Sequence, residues 1–265
     1  CYNESEGGGL MKIVTLMENT SCGENLHAEH GLSLLIETQN RKILFDAGQS
    51  AAFVKNAGTL GLDLQEVDFA VLSHGHYDHS GGLGAFLEIN SHAPVYVSSF
   101  AFEPHYNAAG KYLGVDPALE NHPQIRYVAQ DTVLEPGISL HRLETAPTDT
   151  AGLLVEELGQ RKPDDFRHEQ YLLLEENGKR ILISGCSHKG ILNIAEAFQP
   201  DILIGGFHFM KITDEKQLES AAKKLLEYNT IYYTGHCTGL EQYHYLKTRM
   251  DDHLHYIATG TVLEL

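Results

Sequence analysis

Short apolar runs separated by turn-forming residues dominate the first third of the chain. The runs KIVTLM (12–17), LSLLIET (32–38), KILFDAG (42–48) and DFAVLS (68–73) are rich in branched side chains and are bounded by turn-forming residues. This pattern predicts buried β-strands. SAAFVKNAGTLG (50–61) begins with a Ser and ends at a Gly, which predicts a helix between the third and fourth strands.

The second half of the chain repeats an order of strand and then helix. YLLLEENGKRILIS (171–184) predicts a hairpin with an Asn-Gly turn. DILIGG (201–206) and TIYYTG (230–235) predict strands, and each precedes a segment with helical periodicity. Two strand-rich halves that each carry helices predict an α/β (α+β) fold with four layers in the order αββα, a sandwich.

Two segments between these elements lack a clear period. Residues 101–124 and 144–169 mix Pro, Gly, Tyr, His and charged residues. We expect long loops here, which are candidates to cover a site.

The length and composition favour a single large domain. With 265 residues, of which 42% are hydrophobic, the chain can bury a substantial core. Residues 1–10 are Gly-rich and precede Met11, so we expect a flexible N-terminal extension followed by one domain over 11–265. The four cysteines show no regular spacing, which argues against a disulfide scaffold and favours a cytoplasmic location.

The charge balance limits the possible partners. The chain has 19 basic and 36 acidic residues, a formal net charge of −17, which opposes binding to nucleic-acid phosphates or anionic lipid. The sequence has no run of about 18 apolar residues that would span a bilayer. We therefore expect a small-molecule substrate, no nucleic-acid partner and no membrane partner.

The segment SHGHYDHSGG (73–82) carries the clearest chemical signal. It directly follows a predicted strand, and α/β sheets usually place their sites at the carboxyl ends of strands. Alternation lets His74 and His76 point the same way, while Asp78 and His79 turn toward a neighbouring position. Imidazole and carboxylate groups are zinc ligands, with iron or manganese also possible. The segment therefore predicts two adjacent metal sites, since clustered His and Asp have little use in packing.

Residues of the same kind follow other predicted strands. ISGCSH ends in Cys186 and His188, GGFH ends in His208, and TGHC contains His236. We expect one sheet to deliver these groups to one point, with His188 and His236 as metal ligands. Cys186 and His208 are possible metal ligands or substrate contacts. Asp46, at the end of ILFDAG, is placed to orient a ligating histidine from behind.

The remaining histidines are expected to have no ligand role. Cys22, His27 and His30 lie in a loop before a strand, where a site contact is the less favoured interpretation. Solvated or hydrogen-bonded side chains are expected at the others, which are His92, His105, His122, His141, His168, His244, His253 and His255.

Together these motifs resemble the metallo-β-lactamase superfamily. The resemblance rests on LFDAG with Asp46, HGHYDH (74–79) followed by SGG, ISGCSH, and TGHCTG near the C-terminus, which follow the expected order over nearly the whole chain. Within the superfamily, the chain looks most like the branch labelled dihydropterin-ribofuranosylaminobenzene phosphate synthase. This narrower resemblance rests on AEHGLSLLIE, FDAGQSAAFVKNA and GCSHKGILNI. The resemblance implies a metallo-β-lactamase-like sandwich and dependence on metal.

The resemblance also implies which metal each motif residue binds. The matching positions are His74 and His76 for the first metal, Asp78 and His79 for the second, and His236 for the final histidine. The superfamily commonly adds another His and then a separate bridging Asp, whereas this chain has LHRLETAPT and then SGCSH. We therefore predict that His188 completes the first site and that Cys186 lies close by as a possible ligand of the second.

Metal-assisted hydrolysis is the leading hypothesis. Zinc, with up to two ions per chain, lowers the pKa of a bound water to about 7. Asp78 would hold that water and pass on its proton, which makes it the predicted catalytic residue. The substrate bond would be an ester, lactone, amide or phosphoester of a small molecule. The His/Asp set favours metal-assisted hydrolysis because the chain lacks a competing nucleophile motif such as the Gly-x-Ser-x-Gly of serine hydrolases.

Three other functions stay open. The narrower resemblance implies a transferase or synthase that joins a dihydropterin to ribofuranosylaminobenzene phosphate. The same ligands accept iron, which would allow an iron-dependent oxidoreductase. A non-enzymatic ligand-binding protein on the same fold is the last alternative.

Overall fold

The computed structural model describes residues 11–147 and 152–265. The extension predicted over 1–10 lies outside the described residues. The chain divides into two compact units. Unit 1 contains the described residues up to Ala129 together with Gly152–Asp164 and Ala258–Leu265, and unit 2 contains the described residues of Gln130–Ala151 together with Asp165–Ile257.

Strands make up much of both units. In chain order they are β1 (Lys12–Met17), β2 (Ser33–Glu37), β3 (Lys42–Phe45), β4 (Phe69–Val71), β5 (Val95–Ser98), β6 (His105–Tyr106), β7 (Ile125–Val128), β8 (Thr132–Glu135), β9 (Ile138–His141), β10 (Leu154–Glu157), β11 (Gln160–Pro163), β12 (Tyr171–Glu176), β13 (Lys179–Ile183), β14 (Ile202–Ile204), β15 (Ile231–Thr234), β16 (Leu254–Tyr256) and β17 (Val262–Glu264).

Helices are short and follow several of these strands. They are α1 (Ala52–Thr59), α2 (Tyr77–Ser80), α3 (Leu83–Ile89), α4 (Ile191–Phe198), α5 (Glu215–Leu225) and α6 (Leu240–Met250). Within residues 11–147 and 152–265, no helix is both long enough and apolar enough to cross a lipid bilayer.

Unit 1 is built on a mixed sheet, which has seven strands within the described residues, in the order β17-β1-β2-β3-β4-β5-β7. The pairs from β17 to β3 are antiparallel, and the pairs from β3 to β7 are parallel. Leu44 of β3 and Val95 of β5 share a buried cluster with Phe53 of α1 and Phe86 of α3. Complete burial of each Phe ring contributes about 1.5–3 kcal/mol relative to exposure.

Unit 2 is built on a second mixed sheet, again of seven strands in the described part of the chain, in the order β16-β15-β14-β13-β12-β9-β8. The pairs from β16 to β13 are parallel, and those from β13 to β8 are antiparallel. Leu203 of β14 and Tyr232 of β15 share a buried cluster with Leu218 of α5 and Leu246 of α6.

Helix α5 shows how the sequence pattern produces an element. Its N-terminus is capped by Asp214, whose carboxylate accepts a hydrogen bond from the backbone N–H of Lys216 at 3.0 Å. Leu218, Ala222 and Leu225 recur at spacings of three and four residues and are buried. This spacing places them on one face of the helix, which the buried cluster covers.

The two segments predicted as loops contain a small sheet. The segment 101–124 includes β6, the described part of 144–169 includes β10 and β11, and these strands form a sheet of order β11-β10-β6 in unit 1. The expectation of loops is therefore corrected for these strands. Strand β6 was missed because its His105 pairs with Val155 of β10, a contact remote in sequence that a local periodicity does not encode.

The predicted ligand residues follow strands at one edge of each sheet. In unit 1, Phe45 and Val71 are paired at the ends of parallel β3 and β4, just before Asp46 and the motif residues. In unit 2, Ile183 of β13 is paired with Ile204 of β14. The carboxyl ends of β13, β14 and β15 thus carry the other predicted ligands into neighbouring loops.

Candidate metal centre

The motif turn of unit 1, residues 73–82, gathers three imidazole rings. The ring centroid of His74 lies 4.7 Å from that of His76 and 4.2 Å from that of His79. His74 and His79 are fully buried, and His76 is 5% exposed. The backbone is extended at His76 before α2 begins, and Ser80 Oγ donates to the His76 carbonyl at 2.9 Å. The turn therefore brings three predicted ligands together.

Close packing requires the paired glycines at the end of this turn. A Cβ at Gly81 would lie 2.2 Å from the carbonyl oxygen of Gln49, and one at Gly82 would lie 2.2 Å from that of Ala47. Any side chain would push the turn away from the loop between β3 and α1. The backbone N–H of Ala47 donates to the His79 carbonyl at 2.7 Å, so the glycines keep His79 beside this loop.

Asp46 is buried beside the rings and accepts three hydrogen bonds. One carboxylate oxygen accepts from the backbone N–H of Ser73 at 2.7 Å, and the other accepts from Ser73 Oγ at 2.7 Å and His79 Nδ1 at 2.6 Å. Because Ser73 gives its hydroxyl proton to Asp46, it accepts from His74 Nδ1 at 2.8 Å. Both rings then keep a lone pair on Nε2 for a metal.

Asp78 lies on the more exposed side of the turn. Its side chain is 12% exposed, and its Oδ2 lies 3.2 Å from His30 Nε2 and 3.9 Å from His79 Nε2. Burial, together with the Asp78 charge, raises the pKa of Tyr77. His30 was not favoured as a site residue from the sequence, yet the structure places it against the predicted catalytic carboxylate.

Unit 2 gathers the second set of predicted ligands. The Sγ atom of Cys186 lies within 4.8 Å of a ring nitrogen of His188 and within 4.8 Å of one of His236. The ring centroids of His188 and His208 are 4.5 Å apart. Cys186, His188 and His236 are buried, and His208 is partly exposed. The structure thus brings together all four residues that the sequence singled out in this half.

The loops that carry these ligands hold uncommon backbone conformations. Ser187, His208 and His236 have φ angles of 59°, 58° and 50°. Residues other than glycine rarely occupy this left-handed region and keep it where surrounding contacts enforce it. Conformations of this kind cluster at functional sites, which is consistent with a site in these loops.

Buried partners that the sequence did not reveal hold the His188 loop. The His188 ring stacks on Phe166 at a centroid distance of 4.2 Å and an interplanar angle of 3°. Glu169 accepts hydrogen bonds from the backbone N–H groups of His188 at 2.6 Å and Lys189 at 3.3 Å, and from the Tyr171 hydroxyl. Burial raises the pKa of Glu169 above its ordinary value, although these hydrogen bonds act in the opposite direction. No local motif marks either Phe166 or Glu169.

His105 and Asp164 form a buried pair near the motif turn, within unit 1. His105 Nδ1 lies 2.8 Å from Asp164 Oδ2, and both side chains are 1% exposed. The His105 ring centroid lies 5.4 Å from that of His76. The hydrogen bond of His105 agrees with the expectation from sequence. Its ring contact with His76 was not expected, because the two residues belong to separate segments of the chain.

The donor groups fit a transition metal. Unit 1 supplies three imidazoles and one carboxylate in a single turn, and unit 2 supplies two buried imidazoles and a thiol. Nitrogen, oxygen and sulfur ligands of this kind suit zinc, and the nitrogen and oxygen ligands also suit iron or manganese.

A cavity of about 500 Å³ lies next to His188 in unit 2. Ile191 and Phe207 form part of its apolar wall, and His208 and Lys211 contribute polar groups. Pockets for small molecules typically measure about 300–1,000 Å³ and combine apolar walls with a few polar groups. The cavity therefore has the size and lining of a small-molecule site.

Comparisons with known proteins cover most of the chain. A family model described as the metallo-beta-lactamase superfamily matches residues 28–236. The 7,8-dihydropterin-6-methyl-4-(beta-D-ribofuranosyl)-aminobenzene-5'-phosphate synthase of Methanocaldococcus jannaschii is 31% identical over 263 residues, which cover 87% of this chain and 88% of that relative. An uncharacterized protein of the same organism is 29% identical over 243 residues, which cover 86% of this chain and 91% of that protein.

A solved structure shows the same similarity. Tm1679, described as a metal-dependent hydrolase of the beta-lactamase superfamily, is 29% identical and superposes with a TM-score of 0.80. The superposition covers 96% of this chain and 99% of Tm1679.

Proposed function

Because the chain belongs to the metallo-β-lactamase superfamily, we propose that it is a metal-dependent hydrolase that acts on a small molecule. The family and the fold class predicted from sequence are confirmed, and the fold is an α/β metallo-β-lactamase fold with mixed sheets and helices. The observation that carries the proposal is the motif turn, where three clustered imidazoles stand beside Asp78 and Asp46 orients two of the rings.

The proposed metal ligands are those that the sequence predicts. They are His74, His76, Asp78, His79, His188 and His236, with Cys186 and His208 as further ligand or substrate-contact candidates. Family membership supports this assignment, since the match from residue 28 to residue 236 includes all of these positions and ends at the last histidine. The same match draws on segments of both units, which supports the proposal of one domain over 11–265.

The chain's own residues supply binding, orientation and proton transfer. A bound divalent cation would lower the pKa of a water to about 7 and so provide a nucleophile at neutral pH. Asp78 is the group that would accept the proton of the attacking water, because it is a carboxylate at the partly exposed side of the turn. His30, 3.2 Å from Asp78 Oδ2, would keep that carboxylate oriented.

We propose zinc as the metal, with up to two ions per chain, and a small-molecule ester, lactone, amide or phosphoester as the substrate. The mixture of imidazole, carboxylate and thiol donors supports zinc, while iron and manganese accept most of the same ligands. The cavity beside His188 supports a substrate of modest size with an apolar portion.

Elemental analysis of protein purified without oxygen or added metal is the first test. We expect about two zinc or manganese ions per chain, as in two-metal sites, and a clear fall in the His188→Ala variant. His92→Ala is the matched control, since His92 is exposed and expected to be solvated, and its metal content should equal that of the wild type. About one iron per chain would instead favour the oxidoreductase.

Hydrolysis is then measured on a panel of an ester, a lactone and a phosphodiester. We expect one class of substrate to be cleaved by the metal-loaded wild type and not by His188→Ala. A protein that holds its metal fully and cleaves none of the three classes would contradict the hydrolase.

A transferase is the second candidate, and the 31% identity with the named synthase favours it. We would incubate the metal-loaded protein with ribofuranosylaminobenzene phosphate and a dihydropterin that carries a leaving group on its 6-methyl carbon, which the aminobenzene would displace, and examine the mixture by mass spectrometry. A condensed product would establish the transferase, whereas its absence with a fully loaded enzyme would remove it.

A further inference from the structure

Segment 101–124, which the sequence marks as a candidate to cover a site, contacts the motif turn. The backbone N–H of Tyr77, in the middle of the motif, donates to the carbonyl of Leu113 at 2.7 Å. The ammonium nitrogen of Lys111 lies 5.0 Å from the centroid of the Tyr77 ring. Tyr77 is directly followed by Asp78, the proposed proton acceptor. The segment therefore brings a positive charge to the motif turn.

Hydrogen bonds within residues 105–113 fix the backbone that carries this lysine. The N–H of Leu113 donates to the carbonyl of His105 at 2.7 Å. The N–H of Lys111 donates to Asn107 Oδ1 at 2.9 Å, and the N–H of Asn107 donates to the carbonyl of Lys111 at 3.0 Å. These bonds close a turn in which Gly110 has a φ angle of 82°, a left-handed conformation that favours glycine. Lys111 thus lies on a defined turn.

A second cation lies against the same turn. The guanidinium carbon of Arg161 lies 3.6 Å from the ring centroid of Tyr106. A Cβ at Gly110 would lie 3.3 Å from Arg161 Nη1, so this guanidinium reaches the residue before Lys111. Arg161 has a carboxylate partner, Glu156, at 3.3 Å. The two cations differ in this respect, because Lys111 forms no ion pair with the residues of 11–147 and 152–265.

The Lys111 ammonium group can therefore bind an oxygen-rich ligand. The face of an aromatic ring attracts a cation, while the three N–H donors of the ammonium group stay available to oxygen atoms. Lys111 is exposed and Tyr77 is partly exposed, so a ligand can reach both. Charge-assisted hydrogen bonds to a carboxylate or phosphate are stronger than those between neutral groups. The arrangement thus favours an anionic ligand group.

We propose that Lys111 determines substrate specificity by binding an anionic group, a carboxylate or a phosphate, of the small molecule that is cleaved at the motif turn. Tyr77 holds the ammonium group beside the turn, and Arg161 adds positive charge to the same segment. The proposal deepens the proposed function and rests on it, since the motif turn is the place of the reaction. Binding of the anion itself requires neither the reaction nor the metal, so the two can be tested apart.

Two substitutions at Lys111 separate its charge from its size. Lys111→Met keeps an unbranched side chain and removes the charge, whereas Lys111→Arg keeps a cation that stacks on aromatic rings. The matched control is Lys55→Met, which changes the net charge by the same amount. Lys55 is an exposed lysine of α1 in unit 1 that likewise forms no ion pair with the described residues.

Anion binding is measured first, by NMR titration of chelator-treated protein with benzoate, phenyl phosphate and the neutral benzamide. No metal is then present to bind the anion. We expect at least one of the two anions to shift the backbone amide signal of Tyr77 saturably, and benzamide to leave it unchanged. The anion with the lower dissociation constant identifies the preferred group.

The variants then show whether Lys111 provides the charge. In Lys111→Met the dissociation constant of the anion should rise about 10-fold or more, as expected for the loss of a hydrogen bond to a charged group. In Lys111→Arg and in Lys55→Met it should stay within about 3-fold of the wild-type value.

Specificity is measured on the metal-loaded protein with the p-nitrophenyl monoester of succinic acid, which carries an ionised carboxylate, and with its neutral methyl ester. We expect Lys111→Met to raise KM for the charged ester about 10-fold with little change in kcat. Both constants for the neutral ester should be unchanged. If neither ester is cleaved, the NMR titration decides alone.

The outcomes separate this proposal from the proposed function. A Lys111→Met variant that is folded by circular dichroism and keeps the wild-type affinity for the anion would overturn the role of Lys111. Equal binding of the anions and benzamide to the wild type would overturn it as well, and so would an equal loss of affinity in Lys55→Met. A protein that binds the anion through Lys111 but hydrolyses no substrate would refute the hydrolase alone. Equal KM values for the charged ester in the wild type and in Lys111→Met would refute the specificity role and keep the hydrolase.

Discussion

The Asp46→Asn substitution tests how one carboxylate orients two proposed metal ligands, His74 and His79. The backbone N–H of Ser73 lies 2.7 Å from one carboxylate oxygen and can only donate, so the amide oxygen of Asn must occupy that side. The amide nitrogen then faces His79 Nδ1 and Ser73 Oγ, where the carboxylate now accepts two hydrogen bonds. An amide nitrogen only donates, so both of these hydrogen bonds reverse.

The reversal moves a proton onto each nitrogen that we propose binds metal. His79 must offer a lone pair at Nδ1 and carry its proton on Nε2. Ser73 now donates to His74 Nδ1, which shifts the proton of His74 to Nε2 as well. To bind a metal through Nε2, each ring would have to move its proton back to Nδ1. There the ring N–H would face another hydrogen-bond donor at a buried position, which would cost about 1–3 kcal/mol for each ring. The sum of about 2–6 kcal/mol corresponds to a loss of metal affinity of about 30-fold or more.

Zinc affinity is measured by chelator competition on the wild type and on Asp46→Asn, with circular dichroism to verify the fold. Asp68→Asn is the matched control, because Asp68 also accepts from a backbone N–H in unit 1, that of Lys42 at 2.7 Å, but is more exposed. We expect the control to keep the affinity of the wild type. A folded Asp46→Asn variant whose zinc affinity stays within about 3-fold of the wild type, well short of the change expected for these hydrogen bonds, would refute the reasoning.

Three further predictions concern stability. Gly82→Ala should lower the melting temperature strongly, because the new Cβ would lie 2.2 Å from the Ala47 carbonyl oxygen. Gly84→Ala should raise the melting temperature slightly, because nothing lies within 4 Å of its Cβ and Ala favours a helix. Equal melting temperatures of the two variants would contradict the packing argument. Burial raises the pKa of Tyr232, so the folded state keeps this phenol neutral and stability falls as pH rises above the ordinary value of about 10. Urea unfolding of Tyr232→Phe should show a loss per pH unit smaller by up to about 1.4 kcal/mol, and an unchanged slope would count against it. Zinc at about 100 times its dissociation constant should add about 2.7 kcal/mol to the free energy of unfolding, measured against chelator-treated protein, and no shift would argue that zinc does not bind the folded state in preference to the unfolded chain.

The main strands and helices and the motif turn could be predicted from local patterns in the sequence. Strands such as KIVTLM and DFAVLS are apolar runs whose burial follows from their own residues. His74, His76 and His79 are neighbours along the chain, so their clustering needed only one turn. The ends of β13, β14 and β15 could also be predicted, since a Cys or His follows each strand within four residues.

The residues that support these ligands could not be predicted in the same way. His105 and Asp164 lie in segments without periodicity and meet through a strand pairing remote in sequence. Glu169 holds the His188 loop from a different part of the chain. Their positions depend on tertiary contacts, and buried hydrogen bonds of this kind leave no spacing in the sequence.

The shared carboxylate of Asp46 links the two metal positions that the sequence assigns to His74 and His79. A change in charge or proton at one ring is transmitted to the other through Ser73 and a single buried group. The two affinities are therefore not independent properties, and a substitution selected to weaken one position alters the other. In stepwise metal titrations of the proposed site, we expect this coupling to appear as cooperativity.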